Sequence, residues 1–432
     1  MKHIGLRSLL LVAIAAVPFH SALADFRVHE WGTFTSLVGS NGLTQHGMYH
    51  EDEELPDFVH GFGDVLTPPP APQPRPQPEQ PPRCRGKCFS SDFIENNLIT
   101  QKMETPVIYF YSDQTRSVGV NVRFPEGAVG QTYPAPVSTF PDRNSAPVLA
   151  NGNTTFKVDV LSPQESRSQL SRIPYVDPQN IYGHARAVNS NLVWAQNEVE
   201  KFIFYRGLGR YQPNMEITSQ KGKLFLKAKH FEGSLCDGCS DVPAAFLVHV
   251  DERGHGQMLE LGTLFANKPL SINSRRIDHL KNHAVARPDI LSGDAAREKL
   301  VSGLTEAGLY RDEAIAMVKT WEHGYLQTPG LRLLYIMPKD DVEATLPLKV
   351  TPTPDELNRV FVARIEVLLD TEEQQLVDDV LRKGYYFRVS SLGRFAEPIL
   401  RRLHQAYNEY IPGDAGENAL FDYLIKQASK AD

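Results

Sequence analysis

The segment FRVHEWGTFTS, residues 26–36, predicts a β-strand near the start of the chain, because β-branched and aromatic side chains alternate along it. Its period of two places one set of residues on one face, Val28, Glu30, Gly32 and Phe34, and another set on the opposite face, His29, Trp31, Thr33 and Thr35. Glu30 therefore shares a face with apolar residues, where a carboxylate needs a cation or several hydrogen-bond donors.

More short strands are predicted downstream of this segment, with proline and glycine between them. They lie at residues 106–112, 117–124, 155–161, 201–206, 223–229 and 245–250. The first two are separated by DQTR, which predicts that they form a hairpin. No GxGxxG or P-loop pattern occurs. This arrangement indicates antiparallel β-sandwich structure rather than a doubly wound parallel sheet.

The pattern becomes helical from about residue 292. Helices are predicted at 295–306, 312–322, from Thr371 to Gly384, and from Pro398 to Tyr410, with one strand at 331–337. Thr353-Pro354-Asp355-Glu356 resembles a capped helix start and predicts a further helix to about Leu368. The expected fold class is α+β, with an antiparallel β-sandwich-rich domain at 25–270 and a mainly α-helical domain at 271–432.

Two basic residues also fall among apolar ones. Arg206 shares a strand face with Phe202 and Phe204, and Arg364 lies in the apolar stripe of the helix predicted from Pro354. Together with Glu30, they form either a structural buried salt bridge or a polar site in a cleft between the two domains. The second interpretation gives these candidate catalytic residues: Glu30, His29, Arg206, Arg364, Glu322 and His323.

Glu322 and His323 stand at the end of a predicted helix, before Gly324. There His323 either satisfies free helix carbonyl groups, or one of the two residues acts as a general acid or base. No GxSxG motif is present, so an ordinary α/β-hydrolase serine is not supported.

Histidine pairs suggest a metal site as a further alternative. Two HxxxH pairs occur, His46/His50 and His279/His283, and on a helix each pair would face the same way. Acidic residues follow the first pair, and His60 lies just beyond them, so this segment has ligands for a divalent ion such as zinc. The zincin motif HExxH is absent.

Residues 1–24 have the pattern of a secretory signal peptide. Lys2 and Arg7 precede an apolar run, residues 9–17, and Ala22-Leu23-Ala24 forms a cleavage site. The run is shorter than the ~20 residues that span a membrane. We therefore expect cleavage after Ala24 and a periplasmic or secreted mature chain without a transmembrane span.

The four cysteines are interpreted in this oxidising compartment. They form two close pairs, Cys84 and Cys88 in CRGKC and Cys236 and Cys239 in CDGC. Two disulfide bonds are expected, with three pairings open. A tetrathiolate zinc site and a redox-active CxxC are the alternatives. The first pair follows a proline-rich loop at residues 67–83, whose composition favours polyproline II and a spacer.

Composition gives no electrostatic reason to expect nucleic acid or anionic membranes as partners. The 432 residues include 45 Lys and Arg against 52 Asp and Glu, a net charge of −7. A mildly acidic chain has no electrostatic attraction for nucleic acid, so none is expected as a partner.

Four strings in the chain resemble an uncharacterised family of exported bacterial proteins. They are HEWGTFTS (29–36), KMETPVIYFYS (102–112), KFIFYRGLG (201–209) and TWEHGYLQTPGLRLLYIMP (320–338). The resemblance implies export and no particular reaction. The expected function is binding of an envelope or extracellular ligand, or a structural role in the cell envelope. The alternative is a hydrolase, metal-assisted or not, with a cleft around Glu30, Arg206 and Arg364.

Overall fold

The structure is a computed structural model, and it describes residues 25–51, 54–61, 98–141, 149–229, 240–410 and 414–430. The signal-peptide pattern, the proline-rich loop at 67–83 and all four cysteines lie outside these residues. The predictions for them are therefore neither supported nor contradicted by the fold.

Fourteen of the eighteen strands in the described residues lie before residue 273. In chain order, the strands are β1 (Phe26–Val38), β2 (Gln101–Ser112), β3 (Arg116–Phe124), β4 (Gly127–Tyr133), β5 (Ser138–Phe140), β6 (Gly152–Val160), β7 (Val193–Ala195), β8 (Glu198–Glu200), β9 (Ile203–Gly209), β10 (Met215–Gln220), β11 (Lys223–Ala228), β12 (Val242–Val250), β13 (Gly256–Leu264), β14 (Leu270–Ile272), β15 (Ile290–Ser292), β16 (Gly330–Ile336), β17 (Leu348–Thr351) and β18 (Glu356–Val367).

Helices lie mainly in the C-terminal part. They are α1 (Pro163–Gln169), α2 (Ser274–Lys281), α3 (Gly293–Glu306), α4 (Arg311–Glu322), α5 (Lys339–Thr345), α6 (Asp370–Lys383), α7 (Ala396–Tyr410) and α8 (Ala415–Ala428). A π-helical turn, His323–Gln327, continues α4. The mixed α and β content and the predicted helices at α3, α4, α6 and α7 are confirmed, whereas α1, α2, α5 and α8 were not predicted.

A nine-stranded sheet forms the centre of the molecule, in the order β15-β13-β12-β16-β18-β1-β2-β9-β4. Neighbouring strands run antiparallel except β1 and β18, which are parallel. A three-stranded sheet contains β10, β11 and β14, and a six-stranded sheet contains β17, β3, β6, β7 and β8, with β5 beside β6. Strands from both sides of the predicted domain boundary at 270/271 therefore pair in one sheet.

The helix predicted from Pro354 to Leu368 is wrong, because residues 356–367 form β18. The Asp355 carboxylate accepts a hydrogen bond from the Phe26 amide at 2.8 Å, and the Asp355 amide donates to the Phe26 carbonyl at 2.7 Å. Asp355, within the predicted helix start, thus begins the pairing of β18 with β1.

The hairpin predicted around DQTR is also wrong. Strand β2 pairs with β1 and β9, whereas β3 pairs with β6 and β17 in the other sheet. Burial explains the separation, since β2 is buried along almost its whole length and β3 exposes alternate residues. A strand buried on both faces lies inside the protein, and one exposed on one face lies in an outer layer.

The two faces of the nine-stranded sheet are covered differently. On one, Val28 and Phe34 of β1 share a hydrophobic cluster with Val118 of β3 and Phe156 of β6. We call this the sheet-covered face. On the other, Trp31 belongs to a cluster that includes residues of α3 and α4, and we call this the helix-covered face. The predicted division of β1 into two faces is confirmed. Within the described ranges, no helix has the length and apolar character needed to cross a bilayer.

Candidate functional site

A β-bulge in β2 brings two charged side chains to the helix-covered face. Opposite β1, Trp31 pairs with Val107, but two residues further along β1 the partner is Glu104, so β2 contains one extra residue. Thr105, with a φ of +48°, lies at this irregularity. Because a bulge shifts the alternation of side chains by one residue, Lys102 and Glu104 face the same side as Val107.

Strands β18 and β9 add two arginines to this face. Arg364 pairs in register with Thr35, and both are fully buried. Arg206 lies on the side of β9 that carries Phe204, as predicted, and is 5% exposed. Burying so many basic groups is costly unless anions or hydrogen-bond acceptors face them.

Two carboxylates balance part of this positive charge. Glu51 Oε2 lies 3.0 Å from Arg206 Nη1 and also pairs with Lys102 Nζ. Glu104 Oε1 pairs with Arg394 Nη1 and lies 3.6 Å from Lys102 Nζ. Lys102 thus joins the two carboxylates into one buried ionic network.

Arg332 of β16 fixes the π-helical turn at the edge of this network. Its Nη1 donates to the carbonyl groups of Gly324 and Tyr325, at 2.9 and 3.1 Å. Its Nη2 donates to the carbonyl groups of Thr328 and Pro329. The first two bonds satisfy carbonyl groups that the end of a helix leaves without partners, and the other two hold the residues that follow it. π-Helical turns are rare in proteins, and many of those that occur lie at functional sites.

Glu366 and Gly324 set the position of the Arg364 guanidinium group. Glu366 Oε1 lies 3.0 Å from Arg332 Nε and accepts a hydrogen bond from Arg364 Nε at 2.7 Å. The guanidinium carbon of Arg364 stands 5.3 Å from the centre of the Phe395 ring. A Cβ atom on Gly324 would lie 2.5 Å from Arg364 Nη1, so only glycine leaves room for the guanidinium group there.

A small cavity of about 20 Å³ lies among these side chains, with room for about one water molecule. We call it the arginine pocket, and it is lined by Glu51, Lys102, Glu104, Ile181, Arg206, Trp321, His323, Gly324, Arg364 and Arg394. Within the described part of the chain, three of its residues carry buried nitrogen atoms without a hydrogen-bond partner: Arg206 Nη2, both Nη atoms of Arg364, and Trp321 Nε1.

The charge of the pocket is dominated by its basic groups. Burial raises the pKa of Glu104, but Arg394, Lys102 and Arg364 outweigh it and lower the pKa to about 2, so this carboxylate is ionised. Burial lowers the pKa of Lys102, and Glu51 and Glu104 oppose that effect. Four basic side chains therefore face two carboxylates around a cavity whose unpartnered atoms are all donors.

A second cavity, of about 830 Å³, lies beside the arginine pocket, and we call it the large cleft. His323 and Arg394 line both cavities. Its walls come from the ends of β1, β16 and β18, from α6, and from residues 390–395. Its volume falls in the range of ~300–1,000 Å³ that is typical of small-molecule sites.

The structure brings together some of the predicted catalytic residues but not Glu30. Arg206, Arg364 and His323 all line the arginine pocket. Glu30 lies on the sheet-covered face, where its Oε2 accepts a hydrogen bond from Arg359 Nε at 2.6 Å and its Oε1 accepts one from Tyr205. Burial raises the pKa of Glu30, and Arg359 opposes this. Glu30 thus matches the structural salt-bridge interpretation, with a different partner.

His29 and Glu322 lie outside both cavities as well. His29 Nδ1 stands 2.8 Å from Glu313 Oε2, and Glu313 Oε1 accepts a hydrogen bond from the Tyr111 hydroxyl at 2.6 Å. This histidine–carboxylate pair has no solvent-exposed side chain surface at His29 or Glu313. Glu322 forms an ion pair with Arg297 at 2.7 Å.

The first group of predicted metal ligands, His46, His50 and His60, lies against charged side chains of the protein. His46 and His50 lie near Glu397 of α7, and His50 Nε2 is 3.9 Å from Glu397 Oε2. Arg401 already pairs with Glu397 at 2.7 Å. Burial lowers the pKa of His46, and Arg401 adds to this effect. His60 Nε2 lies 2.6 Å from Glu198 Oε1.

The second pair, His279 and His283, does not lie on one helix. Helix α2 ends at Lys281, and His283 Nε2 instead stands 3.1 Å from His249 Nδ1. Among the residues that the structure covers, no group of three or more His, Cys, Asp and Glu side chains is arranged to hold a metal ion. A zinc site at the cysteines stays a prediction, because those residues are not described.

The His249–His283 pair predicts a loss of stability on acidification. Burial lowers the pKa of His249 to about 4, helped by Lys281, His283 and Arg332. The unfolded chain therefore binds a proton below pH ~6.5 that the folded chain takes up only near pH 4, which costs up to about 3 kcal/mol of unfolding free energy. Urea unfolding of wild type and His249→Gln between pH 7 and pH 4 should show a smaller loss in the variant.

The exposed His255 provides the matched control for this measurement. We expect His255→Gln to follow the wild-type pH dependence. If His249→Gln loses as much stability as wild type between pH 7 and pH 4, the interpretation is wrong.

Sequence reasoning missed several residues of the arginine pocket: Glu51 as an ion-pair partner, Lys102, Glu104, Trp321 and Arg394. Lys102 and Glu104 lie within one of the strings quoted above, yet the face of the sheet on which their side chains lie depends on the bulge at Thr105. Each of the four strings nevertheless supplies part of this region. Thr35 comes from the first, Lys102 from the second, Arg206 from the third and His323 from the fourth.

The sequence matches no protein-family model and no curated protein. The function is therefore inferred from the geometry of the two cavities.

Proposed function

We propose that the protein is an exported binding protein whose ligand places a carboxylate group in the arginine pocket. The observation that carries the proposal is the set of unpartnered donors on Arg206, Arg364 and Trp321. A buried donor without a partner lowers the free energy of unfolding by ~1–3 kcal/mol, and by more when the donor is charged. A ligand that supplies acceptor atoms with negative charge removes this cost.

The donor geometry of the arginine pocket supports a carboxylate rather than a tetrahedral anion. The cavity of about 20 Å³ has room for one oxygen atom of such a group. The planar guanidinium group of Arg364 also matches a carboxylate, because the two groups form paired hydrogen bonds.

The location and the finer fold assignment are proposals of the same kind. Export to the periplasm or the medium rests on the signal-peptide pattern of residues 1–24 and on the family resemblance. A β-sandwich formed by the nine- and six-stranded sheets is supported by the hydrophobic cluster that the two sheets share. The two disulfide bonds rest on the cysteine spacing and the compartment.

Calorimetric titration with sodium acetate in a low-chloride buffer tests the binding proposal. We expect wild type to bind acetate more tightly than sulfate. We expect Arg364→Lys to raise the acetate Kd at least about tenfold, because lysine keeps the charge but loses the paired donors.

Arg359→Lys is the matched control, since Arg359 lies on the same strand and pairs with Glu30 on the opposite face. It should leave the acetate Kd unchanged, while circular dichroism verifies that both variants fold. No acetate binding by wild type, or equal affinity in wild type and Arg364→Lys, would contradict the proposal. Tighter binding of sulfate would exclude the carboxylate assignment.

A further inference from the structure

We infer that the large cleft binds the apolar body of the same ligand, so that the ligand is a monocarboxylate with an apolar chain or ring. The inference rests on the proposed function of the arginine pocket. It adds a chemical class for the part of the ligand beyond the carboxylate.

The first argument is that the two cavities are neighbours and share His323 and Arg394 as lining residues. Arg394 pairs with Glu104 in the arginine pocket and also lines the large cleft. Its guanidinium carbon lies 4.8 Å from the centre of the Phe395 ring, and that of Arg364 lies 5.3 Å from the same ring. Phe395 is a wall of the cleft. A carboxylate held by Arg364 therefore has an aromatic surface of the cleft next to it.

The second argument is the apolar character of the inner wall. Leu37, Leu331, Val367 and Phe395 line the cleft and are at most 6% exposed. Leu376 of α6 lines it too and is half-buried. Each apolar group that a ligand buries against such a wall contributes favourably to binding.

The third argument concerns the charge on the solvent-exposed side of the large cleft. Glu252 and Asp378 line the cleft and are exposed, and the described chain provides no hydrogen bond or ion pair for either carboxylate. A second carboxylate at the far end of a ligand would be repelled there. The cleft thus favours a ligand with one carboxylate over a dicarboxylate of equal length.

Calorimetric titration with acetate, butyrate, hexanoate and octanoate tests this inference. Burying one methylene group is worth ~0.8 kcal/mol, so we expect affinity to rise about three- to fourfold per methylene while the chain stays in the cleft. Octanedioate, which has the length of octanoate and a second carboxylate, should bind at least about tenfold more weakly than octanoate.

Two variants of α6 connect the effect to the cleft. Leu376→Gln should lower the ratio of octanoate to acetate affinity at least about fivefold. Leu381→Gln is the matched control, because Leu381 lies on the same helix but does not line the cleft. It should keep the wild-type ratio.

The outcomes separate the inference from the proposed function. If acetate binds through Arg364 and octanoate binds with the same affinity, the inference is wrong and the proposed function stands. If acetate does not bind, the proposed function is wrong. If octanoate binds equally to wild type and Arg364→Lys, the chain binds elsewhere and the inference is also wrong.

Discussion

Replacing Glu104 with glutamine should lower the free energy of unfolding by about 3–5 kcal/mol at pH 7, because it removes the carboxylate that pairs with both Arg394 and Lys102 in the buried network and leaves Lys102 with Glu51 alone. The carboxylate of Glu104 pairs with Arg394 and Lys102 and accepts a hydrogen bond from Thr35 at 2.8 Å. Glutamine has nearly the same shape as glutamate, so the loss of stability measures the effect of the charge rather than of packing. Urea unfolding monitored by circular dichroism measures it.

The pH dependence gives this prediction a second readout. The pKa of Glu104 is lowered from its ordinary value of 4.5 to about 2. Its stabilisation is therefore complete above about pH 5 and is lost as the pH falls toward 2. The difference between wild type and Glu104→Gln should shrink over that interval.

Glu260→Gln is the matched control for Glu104→Gln, since Glu260 pairs with Lys299 in an exposed ion pair. Exposed pairs contribute ~0–1 kcal/mol, so this variant should stay close to wild type. Equal stability of Glu104→Gln and Glu260→Gln at pH 7 would show that the buried network does not stabilise the fold.

Replacing Arg332 with methionine should lower the free energy of unfolding by about 3–5 kcal/mol and also weaken acetate binding. The variant leaves Glu366 without one of its two cations. It also removes the donors to two carbonyl groups of the π-helical turn and to two carbonyl groups just after it. Because Gly324 lies in that turn beside Arg364, the pocket should lose its geometry with the turn. Unfolding and acetate titration are measured on the same preparation.

Arg297→Met is the control for Arg332→Met, since Arg297 is 36% exposed and pairs with Asp294 and Glu322 near the same helix end. We expect a loss below about 1 kcal/mol and unchanged acetate binding. An Arg332→Met protein that binds acetate as wild type does would contradict the proposed role of the turn.

The alternation in residues 26–36 was sufficient to predict β1, its two faces and the buried position of Glu30. It could not identify the partner of Glu30. That partner is Arg359, which reaches it because β18 pairs with β1 in parallel. Pairing between distant segments leaves no trace in local periodicity, so the predicted grouping of Glu30 with Arg206 and Arg364 was not found.

Arg364 shows a different limit of local patterns. Its position among apolar residues was noticed through a helical stripe, yet the segment is a strand. Residues such as Val360, Val362 and Ile365 fit a strand at least as well as a helix. The burial of Arg364 was therefore predicted correctly. The residues expected around Arg364 were wrong, because they were deduced from a helix. The face of the sheet on which Lys102 and Glu104 lie depends on the bulge at Thr105, and the alternation of residues alone does not reveal a bulge.

The parallel pairing of β1 with β18 also affects how the chain folds. The Phe26 amide finds its acceptor on Asp355, 329 residues later. While the chain is being made, one edge of β1 has no partner until nearly the whole sequence has emerged. Such high contact order slows folding, and an open strand edge invites association with other chains. For the export proposed above, such a delay is useful, because an unfolded polypeptide can reach the membrane before its central sheet closes.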